Sequence, residues 1–233
     1  MVDKAIQALA TVSASLVVPH DISGTLVGML SGVRSALEVE SAGILAADRA
    51  GRFEVLSASS HGLVDLALYE CQALDGPAAE ACMLNDHVSV AGIESVRGRW
   101  SPLASAMETA GYESVLASPL RWNEEPLGAV LAFRRGVQGF SSDERLILQA
   151  FADLSMLVVI HTDRRTVQTA ARRMDEALES RVLIEQAKGV LAYTRQISMS
   201  EAYEALQELS REAGIALTAG AQHVISHATD RSE

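Results

Sequence analysis

The spacing of apolar residues changes along the chain from helical to strand-like and back again. Residues 3–18 place Ile6, Leu9, Ala10, Ser13, Leu16 and Val17 on one helical stripe, and Pro19 stops the run. Asp21 or Ser23 is placed to cap a second helix that carries Leu26, Leu30, Val33 and Leu37. The period then shortens: residues 42–47, a turn over 48–51 and residues 52–58 predict a β-hairpin. Between about 61 and 112 the signal weakens, leaving an isolated strand around Val88–Val90 and a short helix after Pro102. Residues 114–119, a polar turn over 122–126 and residues 127–134 predict a second hairpin. Helices flanking hairpins make an α+β domain around an antiparallel sheet.

From Ser141 the pattern is helical again. Ser141 with Glu144 forms a capping box, and neither proline nor glycine occurs from Ser141 to Lys188. Leu157, Ile160, Val167, Ala171, Met174 and Leu178 fall at steps of three and four residues, with Arg164 interrupting. That pattern suits a weak coiled coil, and hence a homodimer through the 141–180 helix. One long amphipathic helix packing back on its own domain has the same period. Ser198 with Glu201 opens another helix, which buries Ala202, Leu206, Leu209 and Ala213 and ends at Gly214. Leu217-Thr218 starts the last, with Ala221, Val224 and Ile225 inward. Three short helices make a small bundle whose core needs support from the long helix.

Composition narrows the function classes. The net charge of −11 argues against a generic coat for nucleic acid or anionic membrane. Residues 1–164 carry −9 and residues 165–233 carry −2, so the C-terminal part is the less acidic but is not basic. Any polyanion bound there must meet a local patch. No apolar run is long enough to span a membrane, and the first 20 residues lack a signal-peptide pattern. The expectation is a cytoplasmic protein with free thiols at Cys71 and Cys82.

The stretch from Arg181 to Leu191 draws the most interest. Leu178, Val182, Glu185 and Gly189 share a stripe, with Leu183, Ala187, Val190 and Leu191 beside it. Arg181, Gln186 and Lys188 stand off that face on this reading and can reach a partner. The chain has 17 arginines and only two lysines, Lys4 and Lys188, so a mid-helix lysine is unusual here. Gly189 either admits close helix approach or marks a gentle kink.

The run Ser180-Arg-Val-Leu-Ile-Glu-Gln-Ala-Lys-Gly-Val-Leu191, followed by Ile197-Ser198, Glu201-Ala202, Leu206 and Leu209-Ser210, resembles the ANTAR domain of transcription-antitermination regulators. The resemblance covers about 167–228 and implies a three-helix module that binds paired stem-loops in leader RNA and prevents a terminator from forming. Asp75-Gly-Pro77, Arg99-Trp100, Ala110-Gly111, Ser118-Pro-Leu120, Gly128-Ala-Val-Leu131 and Phe140-Ser141 with Asp143-Glu144 resemble a GAF domain, a sensory module. Together they are similar to actinobacterial GAF–ANTAR regulators, with which the arginine-rich composition agrees. Ala192-Tyr193 and the turn Gly214–Gly220 depart from the ANTAR pattern and strip charge from the surface that meets phosphate. A single module then binds weakly, or two are needed.

The resulting expectation is an α+β fold with a GAF-like antiparallel sheet and flanking helices, a long connecting helix and a C-terminal three-helix ANTAR-like bundle. The domains are residues 1–163, including the start of the connecting helix, and 164–233. Candidate RNA-binding residues are Arg181, Gln186, Lys188, Arg195 and Arg211, suited to phosphate or base edges, with Tyr193 as a stacking surface. On charge alone Arg181 and Lys188 are equally decorations of a solvated helix; Glu185 and Ala187 are packing partners. The partners are RNA stem-loops, a second copy of the chain and an unknown small molecule in the GAF-like domain, which His61, His87 and Trp100 are placed to line. No membrane is expected.

His223 and His227 have a metal-binding spacing without a third ligand, so neither a metal nor a cofactor is expected. GAF-fold sulfoxide reductases use cysteines, but their motif is not matched by Cys71 and Cys82. No phosphate loop, nucleophile elbow or carboxylate pair is present, and the expectation is a non-enzyme. The alternative is a ligand-sensing or protein-interaction dimer whose ANTAR-like end has lost RNA affinity.

Overall fold

The structure, a computed structural model, describes residues 2–15, 22–48, 50–60, 63–72, 75–160 and 167–229. Its N-terminal domain is built on five antiparallel strands in the order β2-β1-β5-β4-β3. These are β1 (Ser41–Ala47), β2 (Phe53–Ala58), β3 (Val88–Ala91), β4 (Ser114–Trp122) and β5 (Glu125–Arg134). Both expected hairpins form. Asp48 Oδ1 holds the first turn by accepting from the amides of Ala50 and Arg52, at 2.8 and 2.9 Å. Asn123 and Glu124 close the second with φ of 49° and 68°, the left-handed pair that matches strand twist. The strand at Val88 is not isolated; it pairs with β4 at the sheet edge.

Successive side chains on a strand point to opposite faces, and here both faces are covered. On one side Ile44, Leu116 and Val130 meet α1 (Val2–Ser15), α2 (Ile22–Leu37) and α7 (Ser142–Ile160). On the other, Leu45, Val115 and Leu131 meet α3 (Leu63–Glu70), α4 (Pro77–Leu84), α5 (Ile93–Arg97) and α6 (Ser101–Ala110). The stripe expected on α1 is rotated: Ala5 and Val12 are buried, while Ile6 is exposed along with Ala10 and Ser13. Leu16, Val17, Pro19 and Asp21 lie outside the described residues. The four α2 residues expected inward are all buried.

The capping box at α7 is present. Ser141 N donates to Glu144 at 2.7 Å, and Glu144 N donates to Ser141 Oγ at 3.3 Å. Arg134 clamps the same carboxylate and donates to Leu37 O, tying β5 to α2 and α7.

The C-terminal bundle consists of α8 (Val167–Arg195), α9 (Met199–Ala213) and α10 (Leu217–Thr229). Its core joins Ile184, Ala187 and Leu191 to Ala202, Tyr203, Leu206, Leu217 and Ala221. Val27 of α2 packs against this core, and Leu178 of α8 enters the core of the N-terminal domain. Helix α8 therefore contributes to both. This corrects the coiled-coil seam at two positions: Ile160 and Leu178 are buried in the N-terminal core and unavailable to a second chain. Leu157 is 46% exposed; the side chains of Val167, Ala171 and Met174 lie outside the described residues. The fold is α+β, a five-stranded antiparallel sheet with helices followed by a helical C-terminal region.

Candidate nucleic-acid interface

The bundle depends on which face of α8 turns inward. Ile184, Ala187, Lys188 and Leu191 are the buried set, at steps of three and four residues, while Val182 and Gly189 are exposed. Ala187 and Leu191, expected beside the apolar stripe, and Leu178, expected on it, are buried, but Ile184 and Lys188 turn inward in place of Val182 and Gly189, so the inward face is shifted towards that flank. The reason is size and shape: Ile184, Ala187 and Leu191 fit against Ala202, Tyr203 and Leu206 of α9, and the next position on that face is a lysine.

Lys188 is accordingly corrected from a surface cation to an interior one. It is fully buried, with Nζ donating to both oxygens of Glu185 at 2.8 and 2.9 Å and lying 5.9 Å from the centre of the Tyr203 ring. Burial lowers its pKa below the ordinary lysine value; the Glu185 carboxylate opposes that shift and the neighbouring Arg181 charge adds to it. Arg181 is half-buried and lines a small cavity of about 30 Å³ with Val27 of α2, Leu56 of β2, Glu185 and Tyr203. Burial weighs against its charge, and the carboxylates of Glu185, Glu70 and Glu54 offset this.

The remaining candidates are on the surface. Gln186 is exposed, and Tyr193 is 80% exposed. Helix α8 continues to Arg195, so Tyr193 and Arg195 stand on its last turn. Arg195 is exposed and makes no ion pair among the described residues. Arg211 is 73% exposed at its side chain and pairs with Glu208 on the same helix, Nε to Oε2 at 3.1 Å. The six candidates therefore form no single patch. Fourteen residues of helix put Arg181 about 21 Å from Arg195, with Lys188 inside the bundle between them.

Two neighbours of Arg195 carry no RNA-binding role in the sequence analysis. His223 and His227 on α10 line the same recess as Arg195, their Nε2 atoms 3.2 Å apart. Their spacing on the last helix is the available signal, weighed in the sequence only as a metal pair and set aside for want of a third ligand. Among the described residues no group of three or more His, Cys, Asp or Glu is placed to hold one.

In the N-terminal domain the sheet face under α3–α6 is filled by its own side chains. The Tyr69 ring lies over Gly43, where an added Cβ would come within 2.4 Å of it. Its hydroxyl shares a hydrogen bond of 2.8 Å with Ser41, and its edge meets Phe133. Trp100 is buried in this core. His87 pairs through Nδ1 with Ser118 Oγ at 2.9 Å, and burial lowers its pKa. His61 lies outside the described residues. Burial raises the pKa of Cys71 to about 11 and of Cys82 to about 12, and the Cys82 thiol donates to Gly128 O at 3.0 Å. No described helix is long and apolar enough to cross a membrane.

The chain matches the family models of the GAF domain over residues 21–159 and the ANTAR domain over residues 172–225. No curated protein matches it. Among solved structures it is similar to free methionine-R-sulfoxide reductase from Neisseria meningitidis, at 13% identity and TM-score 0.52, over 76% of this chain and 91% of that one. It is also similar to the photosensory core module of the Stigmatella aurantiaca phytochrome, at 13% identity and TM-score 0.51, over 85% of this chain and 43% of that one. The GAF domain of the cyanobacteriochrome TePixJ aligns at 15% identity and TM-score 0.51, over 61% of this chain and 91% of that one. At such identities the likeness is one of fold alone. The chain belongs to the GAF domain family and carries an ANTAR domain after its GAF domain.

Proposed function

We propose that this chain is an RNA-binding transcription antitermination regulator of the GAF–ANTAR type, acting as a cytoplasmic homodimer. The observation that carries the reading is the ANTAR match over 172–225. It is supported by Arg195, which is exposed at the end of α8 without an ion pair among the described residues and so is available to a phosphate. The exposed Tyr193 stands on the other side of the same turn, where it offers a separate stacking surface. The arginine-rich, lysine-poor composition supports the actinobacterial type. The GAF domain supplies sensing and dimerisation, its ligand an unknown small molecule. A non-catalytic role is supported by the two thiols, which burial keeps protonated and unreactive. The test is crosslinking in cells followed by sequencing of the retained RNAs. It is joined by the salt dependence of binding to a two-hairpin RNA recovered there. Arg195→Glu weakens binding and lowers the salt slope; an unchanged slope removes Arg195 from the interface.

A second reading has its own support. With Lys188 buried and Arg211 paired to Glu208, the ANTAR domain presents few free cations. A ligand-sensing or protein-interaction dimer without RNA affinity is the result if the cells yield no enriched transcript.

A further inference from the structure

The ends of α8 and α10 and the middle of α9 enclose an open recess of about 280 Å³. Its deeper walls are apolar, with Leu191 buried and Leu209 and Val224 half-buried. Its rim is polar and exposed, formed by Arg195, His223 and His227. The volume is many times the roughly 30 Å³ share of one water, and just below the range of about 300–1,000 Å³ that takes a whole drug-sized ligand. One planar heterocycle suits that size better than a folded segment.

The rim selects among occupants. The imidazoles meet edge to face, centroids 4.3 Å apart at 76°, with each Nε2 engaged by the other ring. Each Nδ1 has no partner among the described residues. Paired rings of this kind offer a flat aromatic face and an uncommitted ring nitrogen, which stack a base and read its edge. The Arg195 guanidinium on the same rim disfavours a metal ion between the histidines and favours a phosphate. A second recess of about 370 Å³ lies across the Leu209–Val224 ridge, but Glu212 stands on its rim and repels phosphate. Charge therefore assigns the nucleic acid to the first recess.

We propose that the Arg195–His223–His227 recess takes a single unpaired base from the loop of an RNA hairpin. Arg195 holds the adjoining phosphate and the histidines stack on the base. This rests on the RNA-binding reading above and adds where, and by what part of the RNA, contact is made.

The test uses the full-length protein and a library of RNA hairpins with randomised loops. The tightest binder is then remade with each loop position abasic in turn. Wild type loses about tenfold or more in affinity at one loop position, the scale of one stacked base. Ala228→Trp, which fills the mouth of the recess, weakens binding to the intact hairpin by the same factor and shows no further loss with the abasic one. His227→Ala is the milder companion variant, and far-UV circular dichroism confirms that both keep the wild-type fold. Equal discrimination between intact and abasic RNA by wild type and Ala228→Trp overturns the inference while leaving RNA binding intact. Dissociation of a dimer by Ala228→Trp, with discrimination unchanged, gives the recess to a second copy and also overturns it. If wild type binds no hairpin, the recess and the RNA reading fall together.

Discussion

Replacing Lys188 separates a contact with RNA from a contact with the bundle. Lys188→Met keeps the side chain's length and apolar stem but removes the ammonium. It loses two hydrogen bonds to the Glu185 carboxylate, each worth about 1.5–3 kcal/mol when a charge is involved. It also removes the desolvation of a buried ammonium, itself several kcal/mol. The Glu185 side chain is 26% exposed, so water reaches the carboxylate left behind. The two effects are similar in size and opposite in sign, and the variant stays within about 1.5 kcal/mol of wild type. Lys188→Glu instead sets a second carboxylate beside the first without a cation, and lowers stability by about 3–5 kcal/mol. Denaturant unfolding gives the stabilities, and hydrogen exchange on α8–α10 locates the loss. RNA binding is then measured against salt. A lysine that neutralises one phosphate contributes about 0.7–0.9 to the slope of log K against log salt. Folded Lys188→Met therefore keeps the wild-type slope, and Lys188→Glu loses binding only by losing the bundle. A slope lowered by nearly one in folded Lys188→Met would refute the interior role.

Two glycines of the bundle behave oppositely. An added Cβ at Gly189 meets nothing within 4 Å, so Gly189→Ala raises stability by about 0.8–1 kcal/mol in denaturant unfolding. At Gly220 it meets Ser210 Oγ at 2.1 Å, so Gly220→Ala lowers stability by about 1–3 kcal/mol, partly restored by Ser210→Ala; equal effects at the two sites would contradict this packing. Because the folded pKa of Lys188 lies below its free value of 10.5, the unfolded chain holds more protons between the two, and stability from this group rises with pH in that window. The stability difference between wild type and Lys188→Met therefore shifts in favour of wild type towards pH 10.5, and a constant difference counts against burial. The thiols act in the other sense: raised from 9.0 to about 11 and about 12, they give stability that is present below pH 9 and lost as pH climbs through those values. Their alkylation near pH 8 is slow in the native protein and fast in urea, and rapid native labelling would remove this account.

The legibility of the chain followed the strength of its local signals. Both hairpins, α2 and the capping boxes at Ser141 and Ser198 were readable because turn residues and periods agreed at each. Helix α4 was not. Its buried residues are Pro77, Ala78 and Ala81, too small to mark a stripe. Helix α5 runs only Ile93–Arg97, too short to show a period. The inward face of α8 is legible at Leu178, Ala187 and Leu191 but not at Lys188, because a lysine's charge points to solvent in the sequence while packing and the Glu185 carboxylate hold it inside. Gly189 does not serve a close helix approach, since an added Cβ there meets nothing within 4 Å. Gly220, read as part of a turn, is a buried helix position that lets α10 approach Ser210.

The placement of α8 constrains how a signal in one domain is felt in the other. Leu178 sits in the GAF core and Ile184 in the ANTAR core, six residues or about 9 Å apart on one rigid element. Arg181 lies between them, against α2 and β2. Close-packed interiors do not deform smoothly, so a shift of α2 or α7 either leaves Leu178 seated or moves α8 to another discrete packing. The proposed sensing then reduces to a difference in affinity: moving a population from mostly one packing to mostly the other needs about 5.5 kcal/mol of discrimination by the ligand. A molecule that binds both packings equally leaves the RNA end where it was, however tightly it is held. The sheet face already filled by Tyr69 and Phe133 makes that discrimination a matter of displaced side chains, since any guest there must first move them.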